Sequence, residues 1–320
     1  MKTVALISNP RSHRVATRGS VLAEVAARKT SALYIELDDF NAIGEQVLGV
    51  ARAGVSTIVI EGGDGTLEAI LSACLWHLEA FREPPQFAVL PGGSTNLAFK
   101  VMGLRRATAD YVVSRLDRIA GTEPVHRSRH RTLIVEADSL PGPVAGFLLS
   151  TGSLARAMTF AQAEIHGDTH RGVLSVAQAA ARLALWPRST MAEDGSPVIR
   201  VSQFERLDED PTIIDQEQAF SLFTTLPGLS LGLKPFWNRG DHPISYSWAS
   251  WPIQNLRQGV GKLLLGAGEK EMTAHGMKSF GISDMTFKCD GPVMLDGECL
   301  PQPADGVFRI SPSAEWDFIR

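Results

Sequence analysis

Cysteine is scarce in this chain. Its three residues, Cys74, Cys289 and Cys299, form no paired framework and no Cys-x-x-Cys zinc unit. A disulfide-stapled scaffold is excluded, and a reducing, cytoplasmic setting is expected. No uninterrupted apolar run of about 18 residues occurs, so no helix is expected to span a bilayer. The apolar stretch after Met1 is too short for a signal peptide. Positive charge is not in excess either: 31 Lys and Arg stand against 35 Asp and Glu, a formal charge of −4. That balance argues against a nucleic-acid binder held mainly by phosphate contacts. Internal repeats and low-complexity segments are also missing. What is present is a globular composition, 44% hydrophobic and 21% charged over 320 residues, enough for about two domains.

The first part of the chain alternates short apolar runs with helical patterns. Thr3–Ile7, Ala32–Leu37, Ser56–Ile60 and Phe87–Leu90 read as strands. Val21–Lys29, Ala42–Ala53 and Thr66–Leu78 read as helices, with a polar loop over Ser8–Arg14. In the last helix Leu67, Ile70, Leu71, Cys74, Leu75 and Leu78 follow the i, i+3, i+4, i+7 spacing that buries one face. Nearly all-apolar strands alternating with helices predict a parallel sheet covered on both sides.

From about residue 128 the pattern changes. Arg131–Ala137, Val144–Leu149, Val198–Phe204, Ala219–Thr225, Ile244–Trp248, Gly281–Lys288, Val293–Leu295 and Val307–Ile310 read as strands, with helices near Leu154–Ile165 and Val173–Trp186. The expected fold is an α/β N-terminal domain over residues 1–127 and a largely β, sandwich-like domain over 128–310.

Chemistry concentrates in loops. Between a buried strand and an amphipathic helix lies Gly62-Gly63-Asp64-Gly65-Thr66. Its three glycines permit a sharp turn and close approach of a bulky anion, toward which the first N–H groups of the helix and its dipole point. Asp64 repels phosphate unless a cation bridges the two, as Mg²⁺ does for nucleotides. The alternative is a tight turn with Asp64 or Thr66 as helix N-cap. Pro91-Gly92-Gly93-Ser94-Thr95-Asn96 has the same design after the next strand, and the first strand ends in Asn9-Pro10-Arg11-Ser12. Ligands of open α/β sheets bind at the carboxyl ends of strands, so three such loops point to one site. Gly259-Val260-Gly261-Lys262 lacks the leading glycine and the Ser/Thr of a P-loop. No Gly-x-Gly-x-x-Gly follows the first strand, and protein-kinase and Gly-x-Ser-x-Gly hydrolase signatures are missing.

These three loops, followed by Asp296-Gly297-Glu298 in the same order along the chain, resemble the diacylglycerol kinase catalytic-domain family. Bacterial soluble lipid kinases, sphingosine kinases and ceramide kinases belong to it. The resemblance implies a nucleotide-binding first domain, a lipid-substrate second domain, an active site in the cleft between them, and a tail of about residues 311–320 returning to the first domain. It also implies ATP and Mg²⁺ as cofactors. ATP would sit on Gly62, Gly63, Asp64, Gly65 and Thr66, with Asn9 and Ser12 near the nucleotide and Gly92, Gly93, Ser94, Thr95 and Asn96 lining the pocket. Asp64 and Asp296 would serve the metal, and Glu298 would take the proton from a lipid hydroxyl, with Asp64 the second catalytic residue. Phosphoryl transfer asks for little more than positioned phosphates, a divalent cation and a group orienting the attacking oxygen. Read from the residues alone, Asp296 and Glu298 share a face if extended, whereas Gly297 permits a hairpin turn with solvated carboxylates.

The chain departs from the family pattern at three places. Leu97 stands where an aspartate usually follows Asn96, His13 follows Ser12 in place of glycine, and Glu68-Ala69 replaces Asn-Glu. A diacylglycerol-like lipid is the leading acceptor and a ceramide or sphingoid base the next. A catalytically inactive nucleotide-binding regulator, a kinase of a soluble acceptor in the manner of NAD kinases, and a dinucleotide oxidoreductase are the alternatives. A lipid kinase must draw its substrate from a bilayer surface, so peripheral membrane contact is expected; a homodimer is left open. Phe220–Trp237, with Lys234 and Arg239, and Trp248 and Trp251 are candidates for that contact or for the β core. The basic run His126–Arg131 reads as an alternating strand edge, and His166-Gly167-Asp168-Thr169-His170 is assigned no metal.

Overall fold

The structure is a computed structural model. It describes residues 3–93, 97–121, 123–166, 190–191, 195–208, 217–228, 234–253, 255, 258–259, 262 and 267–320. The chain divides into two compact units, Met1–Arg131 with Ala314–Arg320, and Thr132–Ser313. The expected helix at Val173–Trp186 lies outside the described residues.

In the first unit the β-branched and leucine-rich runs form strands β1 (Thr3–Ser8), β2 (Leu33–Glu36), β3 (Val55–Gly62) and β4 (Gln86–Pro91). Helices α1 (His13–Arg18), α2 (Val21–Arg28), α3 (Ile43–Arg52), α4 (Asp64–Trp76), α5 (Leu97–Met102) and α6 (Ala109–Ala120) come between or after them. With β5 (Arg127–His130) and β17 (Trp316–Ile319), the strands line up as β2-β1-β3-β4-β17-β5. All neighbours are parallel except β17 and β5. On one face α2 and α6 bring Leu22, Val25, Val112, Leu116 and Ile119 against Leu6, Val59 and Leu90. The continuous burial of β3 accounts for its nearly unbroken apolar sequence.

Helix α6 was not expected from the reading above. Its stripe of Ala109, Val112, Leu116 and Ile119 is narrow and lies among charged residues, so average hydrophobicity hides it; the periodicity does not. Helix α1 likewise begins inside the expected loop.

The second unit is antiparallel. Its strands are β6 (Leu133–Glu136), β7 (Val144–Gly146), β8 (Leu148–Thr151), β9 (Ser202–Arg206), β10 (Glu217–Thr224), β11 (Ile244–Ser250), β12 (Met277–Ile282), β13 (Met285–Cys289), β14 (Val293–Leu295), β15 (Glu298–Cys299) and β16 (Val307–Pro312). They form one 11-stranded sheet in which β10 branches to β8, β9 and β11. Helix α7 (Gly152–His166) follows β8 directly. Phe204, Phe223, Tyr246 and Phe287 stack in the core, the Phe223 and Tyr246 rings 4.4 Å apart and almost parallel.

Two expected strands are divided. Gly281–Lys288 falls into β12 and β13 around Ser283-Asp284, because β12 pairs with β11 while β13 pairs with β9 and β16. Val144–Leu149 is interrupted at Phe147, whose amide leaves the ladder for a side chain described below. The strand expected at Val198 starts only at Ser202.

Candidate functional site

The sheet order places β1 and β3 side by side, with the chain crossing to β2 on one side and to β4 on the other. That is the topological switch point of an open α/β sheet, where the strand ends leave a crevice. Asn9-Pro10-Arg11-Ser12 leaves β1 there and Gly63-Asp64-Gly65-Thr66 leaves β3; Gly92-Gly93 leaves the neighbouring β4.

Hydrogen bonds tie the three loops together. Asn9 N donates to Glu61 O at 2.9 Å, Gly92 N to Gly62 O at 2.6 Å, and Arg14 N to Gly92 O at 2.8 Å. The Asn9 side chain joins two loops directly: Nδ2 donates to Thr66 Oγ1 at 2.8 Å, while Oδ1 accepts from Arg11 N at 2.9 Å. Glycine is required where the backbones meet. A Cβ on Gly92 would lie 2.9 Å from Gly62 Cα, and one on Gly62 would lie 2.5 Å from Thr66 Cβ.

Helix α4 opens on this cluster with Gly63 as its N-cap and no side-chain capping bond. The capping role considered for Asp64 or Thr66 is therefore not what the structure has. Asp64 is the first helical residue and half-buried, and the buried Thr66 hydroxyl serves as acceptor for Asn9. Ser12 is buried at the start of α1. A glycine-lined backbone cradle beside a helix start suits an anion such as a phosphate chain. Ser94, Thr95 and Asn96 lie outside the described residues.

A residue the sequence reading passed over stands at the centre. Glu61 ends the apolar run of β3 and is fully buried. Its Oε1 accepts from Val21 N at 3.1 Å and Arg18 Nη2 at 3.2 Å. Its Oε2 accepts from Ser20 Oγ at 2.8 Å, Leu22 N at 3.0 Å and Ser8 Oγ at 3.4 Å. The available signal was a lone carboxylate closing a strand buried on both faces, since charges are rarely fully buried unless paired.

In the second unit Asp296 and Glu298 belong to a tight hairpin between β14 and β15. Asp296 has φ 47° and Gly297 φ 101°, the positive pair of a two-residue turn. The turn reading holds, with one difference from a solvated loop. Asp296 Oδ2 accepts from Phe147 N at 2.9 Å and Oδ1 from Leu148 N at 2.8 Å, so its carboxylate bridges the break between β7 and β8. Glu298 is exposed. Among the described residues no three His, Cys, Asp or Glu side chains gather to hold a metal ion.

The remaining candidates take structural places. Leu222, Phe223, Leu226 and Trp248 are core residues, whereas Phe220, Trp237 and Trp251 are partly buried around a small separate cluster. Leu229, Leu231 and Leu233 lie outside the described residues. Arg239 donates to the carbonyls of Thr225, Leu226, His242 and Pro243, and burial pulls its pKa down. The basic run forms edge strand β5 with alternating exposure, Arg129 pairing with Asp317 and Arg131 with Glu315. Of the His166–His170 segment, residues 167–170 lie outside the described residues. Among those described, no helix is long and apolar enough to cross a membrane.

Residues 3–125 match the model of the diacylglycerol kinase catalytic domain. No curated protein matches the chain. Among solved structures, one of a diacylglycerol kinase from Bacillus anthracis is 12% identical, with a TM-score of 0.57 over 99% of this chain and 96% of that one. Another, called a "putative diacylglycerol kinase" from the same organism, is also 12% identical, with a TM-score of 0.62 over 98% and 94%. At such identity the structural likeness carries the fold alone. Residues 3–125 therefore carry this chain's likeness to the diacylglycerol kinase catalytic domain.

Proposed function

We propose that the chain is a lipid kinase transferring the γ-phosphoryl group of ATP to the hydroxyl of a diacylglycerol-like lipid, with a ceramide or sphingoid base as the second choice of acceptor. The observation that carries this reading is the convergence of the Asn9, Gly62–Thr66 and Gly92–Gly93 loops at the switch point of the sheet, through main-chain hydrogen bonds. Backbone amides and an open helix start bind phosphate without supplying a competing side chain.

In this proposal the Gly62–Thr66 turn holds the phosphates, Asn9 fixes the turn through Thr66, and Ser12 and Ser94–Asn96 complete the pocket. Glu298 accepts the proton of the attacking hydroxyl as its oxygen forms the new bond to the γ-phosphorus, and ADP leaves with the electrons of the broken P–O bond. Mg²⁺, when bound, neutralises phosphate charge. Asp64 is the residue to hold it, entering with ATP in the way Mg²⁺ usually binds through few carboxylates and the substrate's own oxygens. Asp296 is a weaker metal candidate than the sequence suggested, since two main-chain amides already engage its carboxylate. Substrate lipid would be met at a membrane surface, by peripheral contact from the cytoplasm.

Incubating purified protein with labelled ATP, Mg²⁺ and a panel of lipids in mixed micelles tests the proposal. Label in a lipid supports it. Label moving instead to NAD or a sugar removes the lipid assignment, and ATP binding without transfer to any acceptor points to an inactive regulator.

A further inference from the structure

Glycine cannot hold a loop's direction by itself. Gly62 and Gly63 carry no side chain, so the last side chain before the proposed phosphate turn is that of Glu61. We infer that Glu61 is a positioning residue that fixes how the Gly62–Thr66 turn leaves β3; the inference rests on the nucleotide reading above.

Three observations support it. First, the carboxylate reaches three consecutive parts of the chain: Ser8 at the end of β1, Arg18 in α1, and Ser20, Val21 and Leu22 at the start of α2. Second, its own carbonyl accepts from Asn9 N, whose side chain then holds Thr66. Glu61 thus anchors both ends of the turn's support. Third, the two amides it takes are those at the N-terminus of α2, so that helix start is filled from within the protein. The next helix start along the same edge is that of α4, which has Gly63 as its cap. A bare buried carboxylate beside a triphosphate would repel it. Here the Arg18 guanidinium and the amide dipoles offset that charge.

Gln is the informative replacement. It keeps the length and removes the charge, and either orientation of its amide sets an N–H against the N–H of Val21 or of Leu22. ATP binding by titration calorimetry and hydrogen exchange of the peptide spanning Gly62–Thr66 are measured for the unchanged chain, Glu61→Gln and Arg18→Met. Positioning predicts about tenfold weaker ATP binding in Glu61→Gln, the equivalent of one lost charged hydrogen bond, with faster exchange at Gly62–Thr66. Arg18→Met should weaken binding less, because four of the five contacts persist; it carries the test if Glu61→Gln does not fold. A Glu61→Gln protein with a lowered urea midpoint but unchanged ATP affinity and exchange overturns the inference and leaves the nucleotide reading standing. Absence of ATP binding by the unchanged chain overturns both.

Discussion

The side-chain amide of Asn9 donates to the Thr66 hydroxyl at 2.8 Å, joining the residue that follows β1 to the first turn of α4, 57 positions later. Both side chains are buried, so neither group has water to replace its partner. Asn9→Ala would leave Thr66 without this donor and free the Arg11 amide as well. An expected loss of about 1–2 kcal/mol in urea unfolding follows from the lost bonds. Phosphoryl transfer should fall by more than stability does, as the turn loses its brace.

Gly92→Ala tests the close approach of the two glycine loops. The added methyl would lie 2.9–3.0 Å from the Cα, N and O of Gly62, all main-chain atoms that cannot rotate away. Overpacking of that kind costs about 1–3 kcal/mol, and the melting temperature should drop accordingly. Gly63→Ala meets Gly93 Cα at 3.3 Å and should be tolerated better.

The two acidic residues of the β14–β15 hairpin should separate cleanly. Asp296→Ala strips the acceptors from Phe147 N and Leu148 N and should destabilise the second unit by about 2–4 kcal/mol. Glu298→Gln, at an exposed position, should leave the unfolding curve unchanged while abolishing turnover and preserving ATP affinity. A normal rate in that variant would contradict the role proposed for Glu298.

His130 gives a pH dependence. Burial, then the nearby Arg320, lowers its pKa below the ordinary imidazole value, with Glu315 opposing. Its ring sits edge-on to Phe318. Below the ordinary value of about 6.5 the unfolded chain therefore takes up this proton before the folded one, and stability falls with falling pH. Urea midpoints measured between neutral and mildly acidic pH should decline in the unchanged chain and less steeply in His130→Gln.

Thiol reactivity should single out one cysteine. Burial raises the pKa of Cys74 and pushes that of Cys289 up to about 12, whereas Cys299 is exposed. A disulfide reagent should titrate a single thiol in the folded protein, and Cys299→Ser should remove it. Cys299 still carries a raised pKa from partial burial and from Glu298, so the reaction should be slow near neutral pH.

Much of the first unit was legible because its physics is local. Nearly all-apolar strands, amphipathic α3 and the clustered glycines each announce themselves within a short window. The boundaries moved by one or two residues, as at α4, which begins at Asp64 instead of Thr66. What escaped depends on distant partners. The two amides that Asp296 accepts from belong to Phe147 and Leu148, about 150 positions earlier, and nothing in the local sequence announces them. Glu61 looks like a strand end until α2 arrives over it. In the second unit, strand breaks at Phe147 and at Ser283-Asp284 follow from which neighbour each half pairs with, and short apolar runs do not encode that choice.

Strand β17 slots between β4 and β5, with Phe318 beside Phe87 and Trp316 edge-on to the same ring. During synthesis the segment that will become β4 must therefore wait, its hydrogen-bonding edge and an aromatic ring bare, until more than two hundred further residues have been made. Cutting the protein after Arg131 would not release a self-sufficient piece but one with a gap in its sheet, ready to borrow a strand from a neighbour.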